Sequence, residues 1–167
     1  KALRSKGKKV VHSHGVFDLL HLGHIRHFEE AKSMADILVV TVTQDDHVNK
    51  GPHRPAFTHD IRAEAIAAMA AVDFVAINRW PLSVDTIKIL NPDIYVKGPE
   101  YSLPDEDITG GIVSEVDTIR SIGGEFCVTG GITFSSSSLL NRHCSAFSTE
   151  VQSYLSDCRV KYSVDEV

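Results

Sequence analysis

The sequence is short of the features that mark several large protein classes. Cysteine is scarce: Cys127, Cys144 and Cys158 are odd in number and show no CxxC spacing, which argues against a disulfide framework and fits a reducing cytoplasm. The longest apolar run, AEAIAAMAAV, is broken by Glu64 and is far shorter than the ~20 residues a membrane-spanning helix needs. Neither a signal peptide nor an internal repeat is found, and the chain starts without methionine in mid-pattern, as expected of a segment cut from something longer. Positive charge is not in excess. The net charge is -5, and the clustered cations Lys1, Arg4, Lys6, Lys8 and Lys9 sit at one end as a solvated terminus, so no nucleic-acid or membrane partner is expected. What remains is an ordinary globular composition, 43% hydrophobic and 23% charged. At 167 residues the chain is long enough to bury a core without cross-links.

Apolar runs alternate with helical patterns throughout. KKVVHSHGVF reads as a strand entering a glycine turn, and HLGHIRHFEEAKSMA places Leu22, Ile25, Phe28, Ala31 and Met34 at helical spacing. DILVVTVTQD is a continuous β-branched run of the kind buried on both faces of a parallel sheet. A polar, proline-containing loop then leads to the helix IRAEAIAAMAAV, which Thr58 or Asp60 can cap. Strand DFVAIN, helix SVDTIKIL with Ser83 as cap, strand DIYVKG, helix IVSEVDTIRSI and strand EFCVTG follow, and a serine run opens SSLLNRH. This alternation predicts an α/β parallel sheet with right-handed crossovers and helices on both faces, and the fold expected is a Rossmann-like, doubly wound sheet of five strands in order 3-2-1-4-5. Ligands of such sheets bind beyond the strand carboxyl ends where the strand order reverses, so the segments 14–18, 44–50, 97–101 and 129–138 are the places to look. The periodicity fades after Ala146, which predicts a domain over 1–146 and a helical or linker tail over 147–167 leading to a further domain.

Five of the nine histidines lie in HSHGVFDLLHLGHIRHF, positions 12 to 28. On a helix His21, His24 and His27, spaced i, i+3, i+6, fan around the axis, and a third imidazole cannot converge with the other two on one ion. His12 and His14 share a strand face, but no carboxylate or cysteine is spaced to complete a metal site. The start of the helix offers a different chemistry. HLGH sets His21 and His24 on one face of the first turn, with Gly23 between them, where free N–H groups and the helix dipole attract phosphate. Two imidazoles there can donate hydrogen bonds to phosphoryl oxygens that gain charge in a transition state. Gly15 lets the chain turn so that a nucleotide can lie against it.

GVFDLLHLGH resembles the HxGH motif of the cytidylyltransferase-like nucleotidyltransferase superfamily, which also includes adenylyltransferases. RPAFTHDIRAEAIAAMAAVDFV, NPDIYVKGPEY and GGITFSSSSLLNR resemble, in order and spacing, the nucleotidyltransferase half of bifunctional sugar-kinase/nucleotidyltransferases of the ADP-heptose synthase type. The resemblance covers about Lys9 to Arg142. It implies that His21, His24 and Lys50 act on the triphosphate, and that Gly15, Val16, Phe17 and Gly23 shape the nucleotide turn. Phe17 is then expected in the core and Asp18 as the residue pinning the turn. Lys97 and Gly98 come to the nucleotide edge, and Ser135, Ser136 and Ser137 cap a second phosphate-facing helix. His14, Arg62, Glu100 and Tyr101 are placed near the second substrate or the nucleotide, Arg62 having as its other reading a surface partner of Asp60 or Glu64. Some branches carry an arginine where Thr129-Gly130-Gly131 stand here, which leaves charge neutralisation to Lys50, Arg142 or Mg²⁺.

The resemblance implies transfer of a nucleoside monophosphate from CTP or ATP to a phosphorylated sugar or polyol, with Mg²⁺ arriving with the nucleotide and pyrophosphate leaving. Its expected partners are the NTP, a small phosphorylated acceptor, a second copy of the chain and a fused kinase domain. Cys127, expected to be buried in its strand, is no candidate nucleophile. A non-catalytic nucleotide-binding regulatory module on the same fold is the alternative. A class I aminoacyl-tRNA-synthetase-like core is disfavoured by size, by the lack of a KMSKS-like loop and by net negative charge.

Overall fold

A computed structural model of the chain describes residues 7–51, 53–101, 111–130, 151 and 154, with the Glu100 side chain left out. The described elements are β1 (Val10–Gly15), α1 (Leu22–Ser33), β2 (Ile37–Thr43), α2 (His59–Ala67), β3 (Phe74–Asn78), α3 (Val84–Leu90), β4 (Ile94–Lys97), α4 (Ile112–Ser121) and β5 (Glu125–Val128). They form one five-stranded sheet in order β3-β2-β1-β4-β5, every neighbouring pair parallel. All belong to the unit Lys1–Phe134; of the second unit, Ser135–Val167, Val151 and Tyr154 are described, both helical. The Ser135 to Ser137 motif and SSLLNRH lie outside the described residues.

The two faces of the sheet differ in chemistry. Val11, Leu38, Val40, Val42, Ile94 and Val96 build an apolar core with Phe28 and Ala31 of α1 and Ile66 of α2. On the other face Tyr95 packs with Ile87 of α3 and Ile119 of α4. That second face also carries His12, His14, Thr41, Thr43 and Lys97, all buried. β3, at the edge, alternates exposed and covered residues, with Phe74 half exposed.

Two helices depart from the pattern read in the sequence. Leu22 and Ile25, spaced as core residues of α1, are 51% and 41% exposed, whereas His27 is buried. A strict i+3 repeat slides around a helix of 3.6 residues per turn, and the side facing the sheet is the one through His27, Phe28 and Ala31. α2 stops at Ala67, and Met69, Ala71 and Val72 enter the core from turns instead. Neither Thr58 nor Ser83 spends its side chain on a helix cap.

The end of the sheet away from the strand carboxyl termini is tied by three aspartates, each just before a strand. Asp36 accepts from Lys9 N–H at 2.8 Å, Asp73 from Leu38 N–H at 2.7 Å and Asp93 from Val10 N–H at 2.8 Å. Each carboxylate satisfies a backbone donor of the neighbouring strand that the ladder leaves over.

Candidate active site

The strand order reverses between β1 and β4, and the turn from β1 into α1 lies at the carboxyl ends of those strands. Gly15 is required there by a close approach: a Cβ on it would lie 2.8 Å from the Phe17 ring. The left-handed residue of the turn is Phe17 itself, with φ 49°. Its ring stands edge-on to His24 at 5.5 Å and to Phe28 at 5.1 Å, so it supports the histidine from the core side. Asp18 is 4% exposed. Its carboxylate accepts from Ala56 N–H at 2.8 Å, Phe57 N–H at 3.1 Å and Arg54 Nε at 2.6 Å, which pins the turn to the segment before α2. Burial opposes its charge, but the Ala56 and Phe57 N–H groups and the Arg54 guanidinium outweigh that and hold its pKa below the ordinary value.

His21 is the N-cap of α1 and His24 sits one turn on, the two rings stacked at 3.9 Å and 25°. Gly23 N–H donates to His21 Nδ1 at 3.1 Å, and His21 N–H donates to His24 Nδ1 at 3.3 Å. A backbone N–H can only donate, so both Nδ1 atoms are acceptors. Each ring is therefore neutral with its proton on Nε2. Burial, then the neighbouring His21, His27 and Lys50, push the His24 pKa down to about 3, which keeps it in that form. Lys50, on an exposed stretch of loop after β2, thus lies within electrostatic reach of His24.

The other residues singled out in the sequence divide into those at the crevice and those turned into the framework. His14 is 7% exposed and donates from Nδ1 to the Thr41 carbonyl at 3.2 Å, while its Nε2 faces the Thr43 hydroxyl at 3.4 Å. Burial lowers its pKa to about 3. Arg62 is 1% exposed: its guanidinium donates to the carbonyls of Phe57, Val16 and Thr43 and to Asp45. It ties α2 to the ends of β1 and β2 and makes no pair with Asp60 or Glu64 among the described residues. Val16 contributes the carbonyl in that tie. Lys97 closes β4, Gly98 follows it, and Tyr101 ends a short 3₁₀ turn with its ring 4.9 Å from Lys97 Nζ. Cys127, read as buried, is only half-buried because β5 is an edge strand, and burial raises its thiol pKa.

Three residues that the sequence reading left aside take part. His27 is buried between the Ser13 hydroxyl at 2.8 Å and the Thr129 hydroxyl at 2.9 Å, bracing α1 against the ends of β1 and β5. Glu30 accepts from Gly130 N–H at 3.0 Å and adds to that brace. Glu115 of α4 is 3% exposed beside Lys97. With Ile112 and Ile119 it occupies the buried stripe of an otherwise amphipathic helix, a spacing that marks its burial and not its partner.

Fold and site together define a doubly wound α/β domain that sets a pair of neutral imidazoles at a helix N-terminus on its ligand edge. The chain belongs to the cytidylyltransferase-like family, whose model matches residues 13–121. It is 39% identical over 127 residues to the bifunctional protein HldE of Nitratiruptor sp., an alignment covering 75% of this chain and 27% of that protein. To the HldE of Citrifermentans bemidjiense it is 41% identical over 127 residues, 72% of this chain and 26% of the relative. The chain thus spans about a quarter of the length of these relatives. Among solved structures, a lipopolysaccharide core biosynthesis protein from Thermoplasma volcanium superposes with a TM-score of 0.61 at 26% identity, covering 77% of this chain and 100% of that one. A pantothenate synthetase from Thermus thermophilus, at 15% identity and a TM-score of 0.55, shares the fold. No described helix is long and apolar enough to cross a membrane.

Proposed function

We propose that this domain catalyses nucleotidyl transfer from CTP or ATP to a phosphorylated sugar or polyol. An acceptor phosphate oxygen attacks the α-phosphorus in line as the bond to the bridging oxygen breaks, and pyrophosphate departs toward the histidine pair. The observation that carries this reading is the tautomer of that pair: both Nδ1 atoms are taken by backbone N–H groups, which leaves the Nε2–H groups as the donors. Neutral donors fixed in place stabilise the charge that grows on the phosphoryl oxygens and need no proton transfer. Lys50 adds a mobile positive charge from the loop. A phosphate monoester dianion is already nucleophilic, so no general base is assigned.

Magnesium supplies charge neutralisation across the phosphates when it is bound. Among the described residues no three His, Cys, Asp or Glu side chains are grouped to hold a metal, and the first turn of α1 has no acidic residue. No residue of this chain is assigned to the ion, and no step is routed through it. The likeness to bifunctional HldE proteins and to a lipopolysaccharide core biosynthesis protein supports a sugar-derived acceptor and a kinase domain joined to this one.

The test is pyrophosphate release with ATP or CTP, Mg²⁺ and a panel of sugar phosphates. Release with one nucleotide and one acceptor identifies the substrates. Nucleotide binding without release from any acceptor would replace the enzyme with a regulatory module.

A further inference from the structure

β1 stays paired with β2 as far as Gly15 and Val42, but with β4 only as far as Ser13 and Val96. One residue further on, at the reversal of strand order, the pairing of β1 with β4 has ended. The Lys97 side chain lies there: Nζ donates to the His14 carbonyl at 3.3 Å and to Glu115 Oε2 at 3.1 Å, between the rings of Tyr95 and Tyr101. Among the described residues two of its three N–H donors are thereby used. Glu115 is held more fully. Oε1 accepts from Ser83 N–H and the Ser83 hydroxyl, both at 2.9 Å, and Oε2 also accepts from the Tyr95 hydroxyl at 2.8 Å. Lys97 and Glu115 are 6% and 3% exposed. A pair at that depth adds little net stability, because desolvation offsets its attraction. What the pair does supply is a fixed positive charge where the pairing of β1 with β4 ends.

We propose that Glu115 is a positioning residue: anchored by Ser83 and Tyr95, it holds the Lys97 ammonium at the crevice, where its remaining N–H meets a phosphate oxygen of the bound nucleoside triphosphate. The proposal rests on the nucleotidyl-transfer reading. Through Ser83 and Glu115 it makes the starts of α3 and α4 part of the nucleotide site.

The test compares the full chain with Lys97→Met/Glu115→Gln, in which both charges go and the volumes stay, using ATP or CTP with Mg²⁺ as the probe. The double variant is expected to melt within a few degrees of the parent without nucleotide and to bind nucleotide at least tenfold more weakly. Unchanged affinity would overturn the proposal and leave the pair a structural element. Glu115→Gln alone is the second measure, and it remains readable if the double variant does not fold. Because Glu115 acts only through the ammonium, its loss of nucleotide affinity should not add to that of Lys97→Met in the double variant. Losses that add independently, or an unchanged affinity in Glu115→Gln, would equally overturn the proposal. A parent chain that binds neither nucleotide would remove the nucleotidyl-transfer reading itself, and the proposal with it.

Discussion

Acidification should unfold this domain well before its carboxylates titrate, because the fold keeps histidines buried and neutral. His12, His14 and His27 are 0%, 7% and 7% exposed. Burial first, and then nearby positive charge, lowers the pKa of His12 and His14 to about 3 and that of His27 to about 4. In the unfolded chain each titrates near its ordinary 6.5. Between those values the unfolded state binds protons that the folded state refuses, so stability is fully present above pH 6.5 and is lost as pH falls toward 4. From pH 7 to pH 5 each such histidine forfeits about 2 kcal/mol, and the three together about 6 kcal/mol, which rivals the whole stability of an ordinary domain. His24, lowered to about 3, acts in the same direction. The assay is urea unfolding at half-unit steps of pH, for the parent and for His12→Phe. Among the described residues His12 Nδ1 has no hydrogen-bond partner, its Nε2 meets the Thr41 hydroxyl at 2.8 Å and its ring lies 5.2 Å from that of Tyr95, so a phenyl ring of similar size gives up one hydrogen bond and no charge. The variant should lose about a third of the pH dependence contributed by the three buried histidines. A level stability from pH 7 to 5, or an unaltered slope in His12→Phe, would refute the assignment of neutral buried histidines.

Other outcomes follow from the same geometry. His24→Ala should cut kcat by 10²-fold or more while changing nucleotide affinity severalfold at most; equal losses in both would mean that the imidazole binds the ground state and nothing more. Asp18→Ala should cost about 3 kcal/mol in urea unfolding, since it strands the Arg54 guanidinium and two backbone N–H groups; a loss under 1 kcal/mol would show that the loop before α2 is held by other contacts. Arg62→Met should destabilise by at least about 3 kcal/mol, because three carbonyls and Asp45 lose their donor, and a stable variant with weakened substrate binding would return Arg62 to a direct contact.

How much of this was readable in the sequence depended on whether a residue acts through its own strand or helix or through the fold. The β-branched run of β2, the helical spacing in α4 and the strand-helix alternation disclosed the elements and the parallel sheet, because each is a local property that tertiary packing reinforced. HLGH disclosed its chemistry for the same reason, since a helix start is defined by a few consecutive residues. The roles of Arg62, His27 and Glu115 were not legible. Each depends on a partner that only the fold brings alongside, Val16, Thr129 and Lys97, and no periodicity records such a partner. His12 and His14 share a face by alternation, yet the depth of that face depends on how neighbouring strands and α3 and α4 cover it. The aspartates at 36, 73 and 93 read as strand boundaries, and their hydrogen bonds to the next strand needed the strand order first.

The shared cap of His21 and His24 narrows what can stand at those positions. Aspartate at 21 would cap α1 well and present no donor to an anion. Lysine or arginine would offer a donor and leave the helix end uncapped. Imidazole does both, since its two nitrogens point in opposite directions across the ring: one completes the backbone, and the other is left carrying a proton. On the proposed nucleotidyl-transfer reading, order in the first turn of α1 and readiness for phosphate are therefore a single property, and a substitution that loosens the helix start would disarm the site even where both histidines remain.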